Sequence, residues 1–285
     1  MTTVPQRALQ RTLHYFDFFD HALSLEELHR FLSLVASVEA VRDSVEHAVA
    51  EGVVYSGNGY YGLREETVVL RAQYEALNAR KMRSARRMSR LIRMFPFVRG
   101  VYLSGSLSKL GVQSKDDDLD FFILTAPSRV WTAKLLLIAF KKVFLLDSEK
   151  YFCINLLMDE TKLEVAKRNL YTATEVVTLV TLRGSAGKDR FLAANRWVET
   201  YFPNVVLPQY SAPPKRKRGV VEGLMNVFFG DRLEAWAQRK FTAHMRAHTD
   251  QKEGYYEADS HSSAYFPQSV EQRLFAHLET FEDDK

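Results

Sequence analysis

The sequence predicts an α+β fold in three parts, and three observations carry that reading. Residues 8 to 65 hold three short helical patterns followed by a hairpin pattern. From Pro96 the chain alternates strand, turn, strand, helix and strand, and beyond Asn169 the periodicity is mostly helical. The expected units are residues 1–70, a mixed-sheet core with a basic linker helix over 71–168, and a helical region over 169–285. With 285 residues and 46% of them apolar, the chain can bury more than one core.

In the first unit, Ser24 stands where it can cap "LEELHRFL", with Glu27 at the capping-box position, and Ser37 can cap "VEAVRDSVEHAVAEG" up to Gly52. "VVY" and "YYGL" flank "SGNG", whose Asn and Gly residues supply the positive φ of a tight hairpin. Helix, helix, helix, wing is the order of a winged-helix domain. Its third helix carries Glu39, Asp43, Glu46 and Glu51 against Arg42, a charge balance that phosphates would repel, which argues against DNA reading and for a structural or protein-contact role.

The stretch from Arg71 to Arg93 is helix-forming and holds eight Lys or Arg residues. Two readings stand: a solvated face joining two units, or a helix whose Arg83, Arg86, Arg87 and Arg90 border an anionic pocket. "FVRGVYLSG" then reads as a strand, "SLSKLG" as a helical turn, "DLDFFILT" as a second strand and "SRVWTAKLLLIAFKKVFLLDS" as a long helix. "KYFCINLLMD" is a third strand and "KLEV" a candidate fourth, paired through "DETK".

Beyond Asn169, "TATEVVTLVTLRG" reads as a helix with Thr172 as N-cap, and "SAGKDRFLAANRWVETYF" as another, with Trp197 a core residue. "LPQYSAPPKRKRG" is a Pro-rich basic linker or exposed loop, "VVEGLMNVFFGDRLEAWAQRKFTAHMRAH" at least one further helix, and "FEDDK" a frayed end. The net charge of +4 permits a phosphate-bearing partner without requiring one. A lone cysteine, Cys153, predicts a buried reduced thiol. The absence of an apolar leader or an uninterrupted apolar span predicts a soluble, cytoplasmic chain with no membrane partner.

The chemistry concentrates at residues 102 to 125. On a strand beginning near Asp118, Asp118 and Asp120 project to one face and Leu119 and Phe121 to the other, so two carboxylates can share a hard divalent cation; Asp116 and Asp117 read as loop. Upstream, Gly105 lets the backbone approach a ligand, the following turn offers N–H groups, and Ser106 adds a hydroxyl. Lys109 is spaced to reach a phosphate.

The strand "VYLSGS", eleven residues after Ser106, and then "DLDFFIL" resemble the motif of the polymerase-β-type nucleotidyltransferase superfamily, most of all its compact bacterial members. The resemblance implies that Gly105, Ser106 and Lys109 hold the phosphates of a nucleoside triphosphate and that Asp118 and Asp120 bind Mg²⁺ or Mn²⁺. A nucleoside monophosphate would pass to a hydroxyl acceptor (a small molecule, a protein side chain or an RNA end) with release of pyrophosphate. Members of that family usually carry a third carboxylate on the strand after the long helix. Here the central position is Asn155, with Asp159 and Glu164 as the nearby acids. That departure sustains an alternative: a nucleotide-sensing regulatory protein, weak or inactive as an enzyme, whose winged helix contacts nucleic acid or a partner.

Overall fold

A computed structural model describes residues 4–146, 148, 150–209, 219–248, 255–266 and 268–283. The Pro-rich basic segment at 210–218 and the last two residues of the acidic tail lie outside them. The chain is α+β, with a mixed sheet of six strands and a small antiparallel sheet of three.

In the N-terminal part, α1 (Gln6–Asp17), β1 (Leu23–Ser24), α2 (Leu25–Phe31) and α3 (Val38–Ala50) precede the hairpin β2 (Tyr55–Gly57) and β3 (Tyr60–Gly62). The capping box forms as the sequence requires: Glu27 N–H donates to Ser24 Oγ at 3.2 Å, and Ser24 N–H donates to the Glu27 carboxylate at 2.9 Å. Ser37 accepts from Ala40 N–H at 3.2 Å. Gly57 faces Tyr60 across a two-residue loop in which Asn58 (φ 52°) and Gly59 (φ 80°) are both left-handed, the conformation that matches hairpin twist.

The basic stretch is two helices, α4 (Glu65–Gln73) and α5 (Glu75–Ile92), broken at Tyr74 (φ −88°, ψ 0°). The break lets each helix bury a different face, α4 on the hairpin and α5 on the large sheet. Arg83, Arg86, Arg87 and Arg90 all lie on the exposed side of α5.

The large sheet is built from β4 (Val98–Leu103), β5 (Asp120–Thr125), β6 (Cys153–Asp159), β7 (Val180–Arg183), β8 (Tyr255–Ala258) and β9 (Ser262–Phe266), in the order β7-β4-β5-β6-β9-β8. β5 and β6 are parallel, joined by α7 (Val130–Phe144), and the other pairs are antiparallel. Tyr102, Phe122, Leu124 and Met158 face one apolar cluster shared with α1–α3, with α8 (Leu170–Thr178) and with α9 (Ser185–Ala194). That cluster also takes in Leu274 and Leu278 of α12 (Gln268–Asp283). Val101, Leu103, Phe121, Ile123 and Leu157 face a second cluster with α5, α7 and α11 (Gly230–His248).

Four expectations give way. "KLEV" is coil, and β6 takes β9 as its neighbour instead. The helix expected through "TATEVVTLVTLRG" turns at Leu179 (ψ 129°) into β7, where β-branched Val and Thr residues fit a pleated strand better than a helix. The stretch 255–266, expected in a helical region, is the hairpin β8–β9, whose turn Asp259 holds by accepting from His261 N–H and Ser262 N–H, each at 2.7 Å. Asn169, three residues before Thr172, is the N-cap of α8. Trp197 is partly buried against the first cluster, as a core residue would be. No helix among the described residues is long and apolar enough to cross a membrane.

One buried side chain ties the N-terminal part to the sheet. The Arg71 guanidinium donates to the carbonyls of Lys109 (2.9 Å) and Leu110 (2.5 Å), lies 3.0 Å from His21 Nε2 and pairs with Glu27 at 3.1 Å. Burial, and then the charge of Arg71, push the His21 pKa well below its usual value, so its imidazole stays neutral and can accept from the guanidinium. Arg71→Met leaves several buried acceptors without a donor. Each such loss costs about 1–3 kcal/mol, and urea unfolding should show a total loss of at least ~3 kcal/mol, with Arg71→Lys recovering only part.

Candidate active site

The site begins where β4 ends. Ser104 N–H donates to the Asp120 carbonyl at 3.0 Å, and the chain then turns into the short helix α6 (Gly105–Ser108). Gly105 sits at φ +65°, and a Cβ there would lie 2.1 Å from Asp120 Oδ2. Only glycine allows both the left-handed conformation and the carboxylate pressed against the turn. The Gly-Ser step and the second strand are therefore one feature, locked at van der Waals distance.

The chain stays in a turn until Leu119, later than the strand start expected near Asp118. Asp117 ties the loop back on itself: its Oδ2 accepts from Gln113 N–H (3.0 Å), four residues earlier, and from Ser114 N–H (3.2 Å), three earlier. Asp118 and Asp120 nonetheless line the same cavity of about 800 Å³, while Leu119 and Phe121 are buried in the second cluster. Asp116 is exposed and pairs with Lys150 at 2.6 Å.

β6 forms the adjoining wall. Cys153 lies opposite Asp120, Ile154 opposite Phe121 and Leu156 opposite Phe122, so Asn155 is an extra residue at a bulge, and it lines the cavity. Cys153 is only partly buried, and its thiol hydrogen-bonds the Asp120 carboxylate. Of the expected buried, reduced thiol, the free state stands and the burial fails, because the cysteine falls at the strand's open end. β9 pairs with β6 along Leu156–Met158, short of the bulge, and the cavity extends past this divided edge to α7 and α11.

Of the residues expected at the site, Gly105, Asp118, Asp120 and Asn155 line one cavity, whereas Ser106 and Lys109 are not among its lining residues. Ser106 is exposed, and its carbonyl accepts from Lys109 N–H and Gly111 N–H. Lys109 bends back to donate to the Gly105 carbonyl at 2.9 Å and to pair with Glu175 at 2.7 Å. Its ammonium holds the glycine turn rather than reaching outward.

The two nearby acids also separate. Asp159 is fully buried opposite Thr125, six residues along the strand, or ~20 Å, from the Asp120 level. Its carboxylate accepts from Ser128 N–H and His261 Nδ1, each at 2.9 Å, and from Thr161. Burial raises its pKa, but these hydrogen bonds outweigh it and hold the group below the usual value. Glu164 lies in coil at the cavity edge and pairs with Arg168. The acid that does approach is Glu175 of α8, which lines the cavity and contributes to the field on Asp120. Its sequence signal was a single charge inside "LYTATEVVTLV".

The electrostatics are unbalanced at this end. Burial first, then the charges of Asp118 and Glu175, push the Asp120 carboxyl up to about 6, against the opposing pull of the Cys153 thiol and Lys109. Among the described residues, no group of three or more His, Cys, Asp and Glu side chains gathers tightly enough to hold a metal unaided. Two carboxylates with room for phosphate oxygens and water are the donor set that suits Mg²⁺, and a cation there would relieve the charge that raises Asp120. Asp118 and Asp120 thus fit a hard divalent ion.

No family model, no curated protein and no solved structure matches the chain.

Two outcomes follow from this geometry. Gly105→Ala should destabilise the fold by about 2 kcal/mol or more, because the left-handed backbone and the 2.1 Å approach fail together, and thermal or urea unfolding reads this directly. Asp120 is bound to a proton more tightly in the folded chain than in the unfolded one. Its contribution to stability is therefore present below its unfolded pKa near 3.8 and is lost as pH rises through about 6. Asp120→Asn should raise the Tm of metal-free protein at pH 7.5 and leave it little changed at pH 4.

Proposed function

We propose that the protein is a divalent-metal-dependent nucleotidyltransferase that moves a nucleoside monophosphate from a nucleoside triphosphate to a hydroxyl acceptor, releasing pyrophosphate. The observation that carries this reading is the contact between Gly105 and Asp120. It sets a side-chain-free turn directly on paired carboxylates at the mouth of a cavity of about 800 Å³, room enough for a nucleotide. On this reading the sheet and its α6 turn form a polymerase-β-type core, with residues 8–65 as a winged-helix-like attachment.

Asp118 and Asp120 hold Mg²⁺ or Mn²⁺, which when bound neutralises charge on the phosphates. The Gly105 turn receives the triphosphate against the two carboxylates, and Lys109 keeps the turn in place through the Gly105 carbonyl and Glu175. Asn155, projecting at the bulge, orients the α-phosphate or the acceptor hydroxyl. The acceptor oxygen is the nucleophile, and positioning with charge neutralisation supplies most of the acceleration. The acceptor is a small molecule, a protein side chain or an RNA end. The exposed acids Glu39, Asp43, Glu46 and Glu51 on α3 favour a protein-contact role for the N-terminal unit over DNA reading.

A second reading rests on a specific observation. Asn155 is neutral, and Glu175 is engaged by Lys109, so the carboxylate beside the metal pair is already committed. This favours a nucleotide sensor with little turnover.

Nucleoside triphosphate with Mg²⁺ should raise the Tm of the wild-type protein at pH 7.5, and the metal-dependent part should fade below pH 6 as Asp120 takes up a proton. Pyrophosphate release should fall by at least ~10³-fold in Asp118→Ala and Asp120→Ala, as expected for loss of the charge-neutralising centre. Stabilisation without pyrophosphate release across a panel of acceptors selects the sensor, and an unchanged metal response in both variants overturns both readings.

A further inference from the structure

The far end of the cavity has the opposite charge. Lys134, Ile138, Lys141 and Lys142 recur at helical spacing on α7, and Lys240, Phe241 and His244 do so on α11, which packs against it. All seven line the cavity that Asp118 and Asp120 also line. The cationic wall is separate from the residues assigned to the metal and the glycine turn.

Lys134 is the focus of this wall. Its Nζ stands 5.4 Å from the ring centres of both Trp131 and Phe241, aromatic faces that hold an ammonium in place. It donates to Ser263 Oγ at 2.6 Å. Among the described residues it makes no other hydrogen bond and has no carboxylate partner, so the ammonium keeps donors in reserve. Burial alone lowers its pKa to about 8, with no acid opposing the shift. Lys141, 9% exposed, stands two turns further along the same helix face. Two nearby acids are already engaged: Glu234 accepts from Trp131 N–H and Thr132 N–H at 2.8 Å, and Asp259 pairs with Lys162; Glu257 of β8 also lines the cavity.

We propose that the wall formed by Lys134, Lys141 and Lys240 is a binding site for a phosphate group, separate from the carboxylate end of the same cavity. A partly buried ammonium, positioned by two rings and a hydroxyl and lacking an anion, is completed by one. The phosphate is either the tail of a nucleotide reaching down the cavity or a phosphate ester on a second substrate. The site is a property of α7 and α11 and stands whether or not nucleotidyl transfer occurs.

Calorimetric titration of the full chain with tripolyphosphate, in chelator and without divalent cation, tests it. The wild type should bind, more weakly as salt rises, and Lys134→Met should weaken binding by about 10- to 100-fold, the size of a lost charge-assisted contact. Lys134→Met should leave the Tm of the ligand-free protein unchanged or higher, because a neutral side chain against Trp131 and Phe241 carries no desolvation penalty. A merely structural lysine would lower it. Exposed Lys240→Ala should weaken binding by about threefold, as a solvated charge contact would. Asp120→Asn should bind tripolyphosphate at least as well as the wild type, which separates this site from the metal end.

Glucose 1-phosphate titrated with and without saturating ATP distinguishes the two sources. Exclusion by ATP places the nucleotide's own phosphates on the wall, and joint binding places those of a second substrate there. Absence of tripolyphosphate binding, or equal binding by the wild type, Lys134→Met and Lys240→Ala, overturns the proposal.

Discussion

The Gly105–Asp120 contact is the constraint on which the site depends. A turn pressed this closely on a carboxylate fixes where β4 must end, and Ser104 N–H to the Asp120 carbonyl sets the register of β5 beside it. Lys109 then grips the turn through the Gly105 carbonyl and joins it to α8 through Glu175. Arg71 holds the carbonyls of Lys109 and Leu110 and pairs with Glu27 of α2. A chain of polar contacts therefore runs from the capping box of α2 to the Gly105 turn, which packs directly on the Asp120 carboxylate. Displacement of the N-terminal unit would be felt at Gly105, which gives that unit a physical route to the site that requires no contact with a ligand.

The second organising feature is the bulge at Asn155. An extra residue in β6 keeps Leu156 and Met158 in register with Phe122 and Leu124 and opens the strand's first three residues to the cavity. The carboxylates of Asp118, Asp120 and Glu175 and the ammonium groups of Lys134, Lys141 and Lys240 line a single volume of about 800 Å³. Charges of both signs therefore act on whatever enters it.

Much of this was legible in the sequence, because local chemistry dictated it. Ser24 with Glu27, the Asn58-Gly59 turn and the alternation through Asp118, Leu119, Asp120 and Phe121 each encode their geometry within a few residues. What was not legible depends on partners distant in the chain. β7 reads as the tail of a helix until β4 offers it an edge, and β8–β9 carries a period-two pattern too short to outweigh its helical surroundings. Glu175 was visible only as a lone charge in an apolar helix, and Lys109 looked outward because nothing local announced its ion pair. Lys134 and Lys141 read as interruptions of an apolar helix, and the cavity that gives them meaning is made by α11, a hundred residues on.

The order of strands in the large sheet also bears on how the chain acquires its structure. β4, β5 and β6 lie close together in sequence, but Val101 waits for Arg183 and Leu156 for Ala264 before either outer edge of the three-stranded ribbon is paired. Pairings of such long range form slowly, and an unpaired strand edge is the surface through which chains associate wrongly. During synthesis the β4 edge would stay open until β7 has emerged, and the β6 edge until β9 has. β9, which brings Ser262 and Ala264 to the cavity wall, is thus also the strand that closes the second edge and ends the longer period of exposure to misassembly.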